Sequence, residues 1–344
     1  MFDPAPVLSG DRRVLARLLT RIENLAPEAE AALAALFPHT GRAHLVGVTG
    51  PPGSGKSSLV TEVAKTYRRL GRTVAVVAVD PSSPFTGGAL LGDRIRMRDL
   101  AGDPGVFIRS MASRGSLGGL ARATADVIKA LDAAGFERIL IETVGAGQAE
   151  VDIARAAHTT VVIEAPGLGD EVQAIKAGLL EVADILVVNK SDQPGADYAV
   201  RALRASLDLA HPARRTWVGE AEWLHQADLP SAPRAAEAPA EGPAWPIPLL
   251  QTVATTGQGV AELVESIERH REHLHASGEL GRRDRERLQH ELEARLRDAL
   301  LEQLVARVGN GQLGAALKQV LRRQIDPAGA ARQLAEQYAA RQTD

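Results

Sequence analysis

The order of apolar and polar positions divides the chain into three zones. In residues 9–37, Val14, Leu15, Leu18, Leu19, Ile22 and Leu25 fall at helical spacing, and a second short helical run, Glu28 to Leu36, stops at Pro38. From Ala43 the pattern changes to short β-branched runs alternating with helical segments. The runs are HLVGVT (44–49), TVAVVAV (73–79), VFIRS (106–110), RILIET (138–143), TVVIEA (160–165), DILVVN (184–189) and PLLQTVA (248–254). Most are continuously apolar, as strands covered on both faces are. Strand–helix alternation over this length predicts an α/β fold, a mostly parallel sheet with helices on both sides.

From Gly281 onward the chain is helical and highly charged. Leu288, Leu292, Leu296, Leu300 and Leu304 recur every fourth residue, which predicts a long amphipathic helix with a narrow apolar stripe. Two shorter helices are expected after it, broken at Gly309–Gly311 and at Asp326–Pro327. The stripe either packs back on the domain or meets the same helix of a second subunit. The expected organisation is therefore an N-terminal helical extension (1–40), a central α/β domain (41–278) interrupted by a Pro/Ala-rich insertion at 211–247, and a C-terminal helical arm and tail (279–344).

Composition narrows the class. Of 344 residues 45% are hydrophobic but only 3% aromatic, so the core must be built from Ala, Val, Leu and Ile. Lys+Arg (40) against Asp+Glu (43) leaves a net charge of −3, without the basic excess that nucleic-acid binding favours. With no cysteine there are no disulfides or thiolate metal ligands, which fits a reducing cytosol. The N-terminus carries acid and proline in place of a signal peptide's basic and apolar regions, and no apolar run is long enough to span a membrane. The expectation is a cytoplasmic protein with neither a membrane nor a nucleic-acid partner.

Gly50-Pro51-Pro52-Gly53-Ser54-Gly55-Lys56-Ser57 matches the phosphate-loop pattern G-x-x-x-x-G-K-[ST] in full, after an apolar strand and at the opening of a helix through Leu59, Val60 and Val63, and these eight residues with Ser58 are expected to bind the nucleotide. Glycines allow backbone N–H groups to turn inward around a phosphate at the positive end of that helix. Lys56 is then expected to bridge the β- and γ-phosphates and Ser57 to ligate Mg²⁺. Asn189-Lys190-Ser191-Asp192 closes the run DILVVN, where N-K-x-D reads guanine. The Asp192 carboxylate can accept paired bonds from guanine N1–H and N2–H₂, a donor pair that adenine lacks. Asn189 would touch the opposite edge, and the Lys190 stem would cover the ring. Ala254-Thr255-Thr256-Gly257, after another run, is placed to hold guanine O6 with backbone amides.

Between these anchors lie acids suited to a hard metal ion: Asp80 at the end of a run, Asp93 in the glycine-rich loop after it, and Glu142, where most GTPases have Asp. Gln148 stands three residues beyond Gly145, displaced from the position of a water-orienting glutamine. Arg94, Arg96, Arg98 and Arg114 are candidate arginine fingers, and the nine histidines show no metal-ligand spacing.

GVTGPPGSGKSSL, VDPSSPFTGGALLGDRIRM, SMASRGSLGGLARAT, ETVGAGQAEVDIA, APGLGDEVQAIKAGLLEVAD and VNKSD, in this order, closely resemble the MeaB/ArgK (MMAA-like) family of P-loop GTPases, over roughly residues 9–300. The resemblance implies a homodimeric GTPase that uses Mg²⁺ and GTP/GDP and escorts an adenosylcobalamin-dependent acyl-CoA mutase. It implies contact with the mutase's cobalamin-binding subunit and with an adenosyltransferase, without cobalamin being bound by this chain. It also implies that Asp80, Asp93 and Glu142 surround Mg²⁺ and the γ-phosphate. Gly167–Lys176 would form an additional switch in which Lys176 assists activated hydrolysis, and the C-terminal helices would form a dimerisation arm. Slow intrinsic turnover, accelerated by the partner, is the expected behaviour. Two other classes stay open: a metallochaperone GTPase for nickel or zinc, against which the lack of Cys and of His-rich segments weighs, and a P-loop small-molecule kinase.

Overall fold

The computed structural model describes residues 2–80, 97–100, 102–112, 117–143, 156–167, 180, 182–209 and 245–340. These fall into two compact units, residues 1–283 and 284–344.

In the first unit seven described strands form one parallel sheet in the order β3-β2-β4-β1-β5-β6-β7. They are β1 (His44–Thr49), β2 (Val74–Asp80), β3 (Val106–Ala112), β4 (Arg138–Thr143), β5 (Thr159–Glu164), β6 (Ile185–Val188) and β7 (Leu249–Gln251). Each lies within a residue or two of its predicted run, except that β7 is shorter. The continuous apolar runs are explained by what covers the sheet. Leu45, Ile139 and Ile141 point to one face, where helices α2 (Arg12–Glu23), α3 (Pro27–Leu36) and α5 (Leu117–Ala133) supply Leu15, Leu19, Leu36, Val127 and Leu131. Val46, Val48, Leu140 and Ile163 point to the other, against α4 (Lys56–Arg69) and α7 (Val260–Ala276). A strand with helices on both sides has no polar face to alternate with. Helix α6 (Ala196–Leu209) completes the first face over β6 through Ala199 and Leu203.

The N-terminal helices, which begin with the short α1 (Ala5–Leu8), share this core. Asp11 starts α2 by accepting the amides of Arg13 (2.8 Å) and Val14 (3.0 Å), a side-chain N-cap. Asp132 of α5 accepts the amides of Gly41, Arg42 and Ala43 (2.5, 3.2 and 2.9 Å), so the chain enters β1 pinned to the sheet.

The second unit holds the rest of α8 (Glu279–Leu321) and α9 (Pro327–Ala340). The expected break at Gly309–Gly311 does not occur: α8 runs through both glycines. A glycine inside a helix costs about 1 kcal/mol relative to alanine but keeps its N–H donor, and the neighbouring leucines and alanines sustain the helix. The second expected break does occur, at Arg322–Asp326, ahead of Pro327, where Asp326 accepts the amides of Ala328 and Gly329 (3.0 and 2.9 Å). Leu292, Leu296 and Leu300 of the stripe are 68%, 57% and 52% exposed. No described helix is long and apolar enough to cross a membrane.

Candidate functional site

The loop between β1 and α4 is shaped by glycines that only a residue without Cβ could replace. Gly50 has φ +145° and lies so close to β5 that an added Cβ would meet the Ile163 carbonyl oxygen at 2.1 Å. Gly55, with φ +90°, occupies the N-cap position of α4, and a Cβ there would meet Asn189 Nδ2 at 2.4 Å. The first amides of α4 have no acceptor within their own helix, so they and the helix dipole face the loop's interior, a built anion site. Lys56 is buried and folds back into this loop, its Nζ donating to the carbonyls of Gly50 (2.7 Å) and Pro51 (2.9 Å). A lysine held there brings its charge to the loop's centre and keeps the glycine-rich backbone in a ring. Pro52, Gly53 and Ser58 are exposed around that ring, whereas Ser54 is fully buried.

Ser57, the second residue of α4, donates through Oγ to Glu142 Oε1 at 2.6 Å. Glu142 comes from the C-terminal end of β4, the strand beside β1, and both side chains are buried. Two of the residues expected around the metal ion are thus brought together, the Glu142 side chain reaching the serine. A hydroxyl and a carboxylate oxygen side by side at the end of an anion loop are the hard donors that Mg²⁺ takes, so the residues fit that ion. Asp80 ends β2, whose backbone lies between β3 and β4 with Val79 opposite Thr143, so its main chain is at the same edge of the sheet as Glu142. The Asp80 side chain, Asp93, Arg94, Arg96, Arg114, Gln148, Lys176, the side chain of Arg98 and nearly all of the 211–247 insertion lie outside the described residues.

The second loop is built around Asn189, which is 1% exposed. Its Nδ2 donates to the Ser54 carbonyl (2.8 Å), and its Oδ1 accepts from Thr252 Oγ1 and from the Ala254 amide (3.1 Å each). The amide therefore clamps three chain segments together, a role the motif alone does not reveal. One of its two N–H donors goes to Ser54, and the other is the one available for a base edge. Lys190, in the left-handed region at φ +56°, extends across the phosphate loop so that Nζ donates to the Gly53 carbonyl at 2.7 Å. Asp192 is exposed at the rim.

At Ala254–Gly257, where backbone amides are expected to hold guanine O6, three of the four amides have partners within the protein. The Ala254 amide is committed to Asn189, and those of Thr256 and Gly257 to the Val253 carbonyl (3.1 and 3.0 Å). The Thr255 amide is the remaining donor. Thr252 went unrecognised in the sequence because a threonine two residues before Ala254 carries no pattern. Its signal is spatial: a fully buried hydroxyl directed at the Asn189 oxygen.

Comparison with known proteins agrees with this geometry. Residues 15–309 match the family model described as methylmalonyl Co-A mutase-associated GTPase MeaB. A Pyrococcus horikoshii protein described as a GTPase is 46% identical over 322 residues, 94% of this chain and 93% of its own. The mouse methylmalonic aciduria type A homolog, mitochondrial, is 37% identical over 68% of this chain and 51% of its own. The crystal structure of an LAO/AO transport system kinase superposes with a TM-score of 0.68 and 26% identity, covering 98% of this chain and 99% of that one. A phosphate loop braced to an N-K-x-D loop, on a parallel sheet and within a match of this length, places the chain in the MeaB family of P-loop GTPases.

Proposed function

We propose that this GTPase serves as a chaperone that gates adenosylcobalamin loading of a B12-dependent acyl-CoA mutase and protects that mutase from inactivation. The observation that carries the reading is the match of residues 15–309 to a mutase-associated GTPase family, supported by the mouse relative's name. Methylmalonyl-CoA mutase, or a close relative such as a 2-hydroxyisobutyryl-CoA mutase, is the proposed client, met through its cobalamin-binding subunit. Cobalamin itself stays with the client or with an adenosyltransferase.

In this reading the α4 amides and Lys56 hold the β- and γ-phosphates, and Asp192, Lys190 and the Thr255 amide recognise the base. Ser57, Asp80, Asp93 and Glu142 would hold Mg²⁺, which when bound neutralises charge on the phosphate oxygens. The loop's amides and Lys56 do the same from fixed positions, and such preorganised charge is what lowers the barrier to phosphoryl transfer. Intrinsic turnover is slow in this reading and rises with the partner, which acts through the switch that carries Lys176. The leucine stripe of α8 suits a homodimer, in which a second copy covers side chains that are more than half exposed in one chain. The lack of cysteine suits a cytoplasmic setting.

The test is single-turnover GTP hydrolysis with and without the mutase's cobalamin-binding subunit, together with co-purification of the two. A rate at least about tenfold faster with the mutase supports the reading. An unchanged rate with no complex refutes it, and transfer of phosphate from ATP to an amino acid would favour a kinase.

A further inference from the structure

At the opposite end of the sheet from the nucleotide loops lies a buried polar cluster that GTP binding does not use. Its hub is Asp184, immediately before β6, with its side chain 4% exposed. The Arg283 guanidinium forks onto it, Nη1 to Oδ2 at 2.9 Å and Nη2 to Oδ1 at 3.0 Å. Arg283 also donates to the His158 carbonyl just before β5 (2.7 Å), and Glu279, one turn earlier in α8, lies 3.4 Å from its Nε. The Thr160 amide of β5 donates to Asp184 Oδ2 at 2.9 Å, and Trp245 Nε1 donates to the Asp184 carbonyl at 2.9 Å. His270 Nε2 of α7 is 3.4 Å from Oδ1. Its Nδ1 is 2.8 Å from Thr159 Oγ1, which is in turn 2.8 Å from His44 Nε2 at the start of β1. Burial alone would raise the Asp184 carboxyl, but the charges of Arg283 and His270 and these hydrogen bonds hold it down at about 2.

The strands rooted in this cluster end in the nucleotide loops. Asp184 and Asn189 are separated only by Ile185, Leu186, Val187 and Val188, all 0% exposed and paired with β5, the last three also with β7. That is a strut of roughly 17 Å at the rise of an extended chain. On β5, Arg283 and Asp184 hold the His158 carbonyl and the Thr160 amide at one end. At the other end the Glu164 carbonyl accepts the Asn189 amide (2.7 Å), and the Ile163 carbonyl abuts Gly50. An extended strand inside a close-packed interior has little freedom to absorb a shift at its root.

We propose that Asp184 and Arg283 are a remote positioning pair for the nucleotide site: by fixing the roots of β5 and β6 they set where Asn189–Asp192 stands against the phosphate loop. The proposal rests on reading Asn189–Asp192 as the guanine loop. Its physical basis is that a buried carboxylate deprived of its guanidinium must take up a proton or draw in water. Either change disturbs the Thr160 bond and the start of β6.

The experiment uses the full-length chain with Mg²⁺ and N-methylanthraniloyl-GDP, titrated well below each variant's melting midpoint. Arg283→Lys keeps the charge but cannot reproduce the fork. The neutral pair Asp184→Asn with Arg283→Gln removes both charges and guards against a variant that does not fold. Arg12→Met is the comparator, since Arg12 caps the carbonyls of Asp103 and Pro104 (3.1 and 2.9 Å) on the β3 flank and touches neither β5 nor β6. The expected result is GDP affinity weakened at least about fivefold in the Arg283 variants and within about twofold of wild type in Arg12→Met, even where its midpoint falls as far. Arg283 variants that melt lower yet bind GDP as wild type does would overturn the proposal, as would equal weakening in Arg12→Met. A wild-type chain that does not bind GDP would instead sink the reading of the guanine loop.

Discussion

Replacing Gly50 by alanine tests whether the phosphate loop is as tightly fitted to the sheet as its geometry states. At φ +145° an L-residue is strained, which costs about 1–3 kcal/mol. The new Cβ would also stand 2.1 Å from the Ile163 carbonyl oxygen. Carbon–oxygen contacts settle near about 3.3 Å, so roughly 1.2 Å must be found. Ile163 cannot give it: the residue is 0% exposed and its strand is paired on both sides. Overpacking of this kind costs about 1–3 kcal/mol more, for a total of about 2–6 kcal/mol. Gly71→Ala is the comparator, because Gly71 has φ +77° and nothing within 4 Å of its added Cβ. It carries the backbone term alone, about 1–2 kcal/mol. If Gly50→Ala stays folded, it is the loop that moves, and with it the Gly50 carbonyl that accepts Lys56 Nζ at 2.7 Å. Urea denaturation and GDP titration of both variants give the answer. Gly50→Ala should lose at least about tenfold in GDP affinity, equivalent to 1.4 kcal/mol, while Gly71→Ala keeps wild-type affinity. A Gly50→Ala protein with wild-type affinity and no greater stability loss than Gly71→Ala would refute the close fit.

Three further outcomes follow from other parts of the molecule. Asp192→Asn should weaken GTP about 10–100-fold and improve XTP, because an amide presents donors where guanine needs acceptors; competition binding with the two nucleotides decides, and unchanged GTP affinity excludes the assigned role. Leu292→Glu with Leu296→Glu places two charges on an exposed apolar stripe and should leave a folded monomer in sedimentation equilibrium, whereas a persistent dimer shows that the stripe is not the contact. The Asp184 carboxyl, held at about 2 against an ordinary value of 3.8, contributes about 2 kcal/mol that is present above about pH 4 and is lost as the pH falls toward 2. Denaturation curves across that window should therefore be steeper in pH for the wild type than for Asp184→Asn, and identical slopes would contradict the depressed value.

The sheet was legible in the sequence for a physical reason. Strands covered on both faces must be apolar without interruption, and most of the seven runs announce themselves that way. The phosphate loop was legible because its glycines answer to backbone conformation, a local requirement that the chain states locally. The limits of that legibility lie where a residue's job depends on segments far apart in the chain. Gly309 and Gly311 read as a break, but helix continuity depends on what surrounds them, and only Pro327, which lacks the donor, accompanies an interruption. Thr252 and Asp184 carry no pattern either, since each is defined by partners that the fold brings together: Thr252 with Asn189 at 3.1 Å, Asp184 with Arg283 at 2.9 Å.

Asn189 shows how this changes the meaning of a motif. Read in sequence, it belongs with Asp192 as a base reader. In the fold its oxygen and one of its N–H groups are already bonded to Thr252, Ala254 and Ser54, and Gly55 must lack a Cβ for the amide to fit. If Asn189–Asp192 is the guanine loop as proposed, base and phosphate recognition share one buried side chain. A base that displaces Asn189 must also displace the Ser54 carbonyl within the phosphate loop, and a loop distorted by the wrong phosphate pattern pulls on the guanine side. On that reading guanine selectivity in this chain is a property of both loops together. It follows that a substitution confined to either loop should alter affinity for the whole nucleotide, not only for the part it faces.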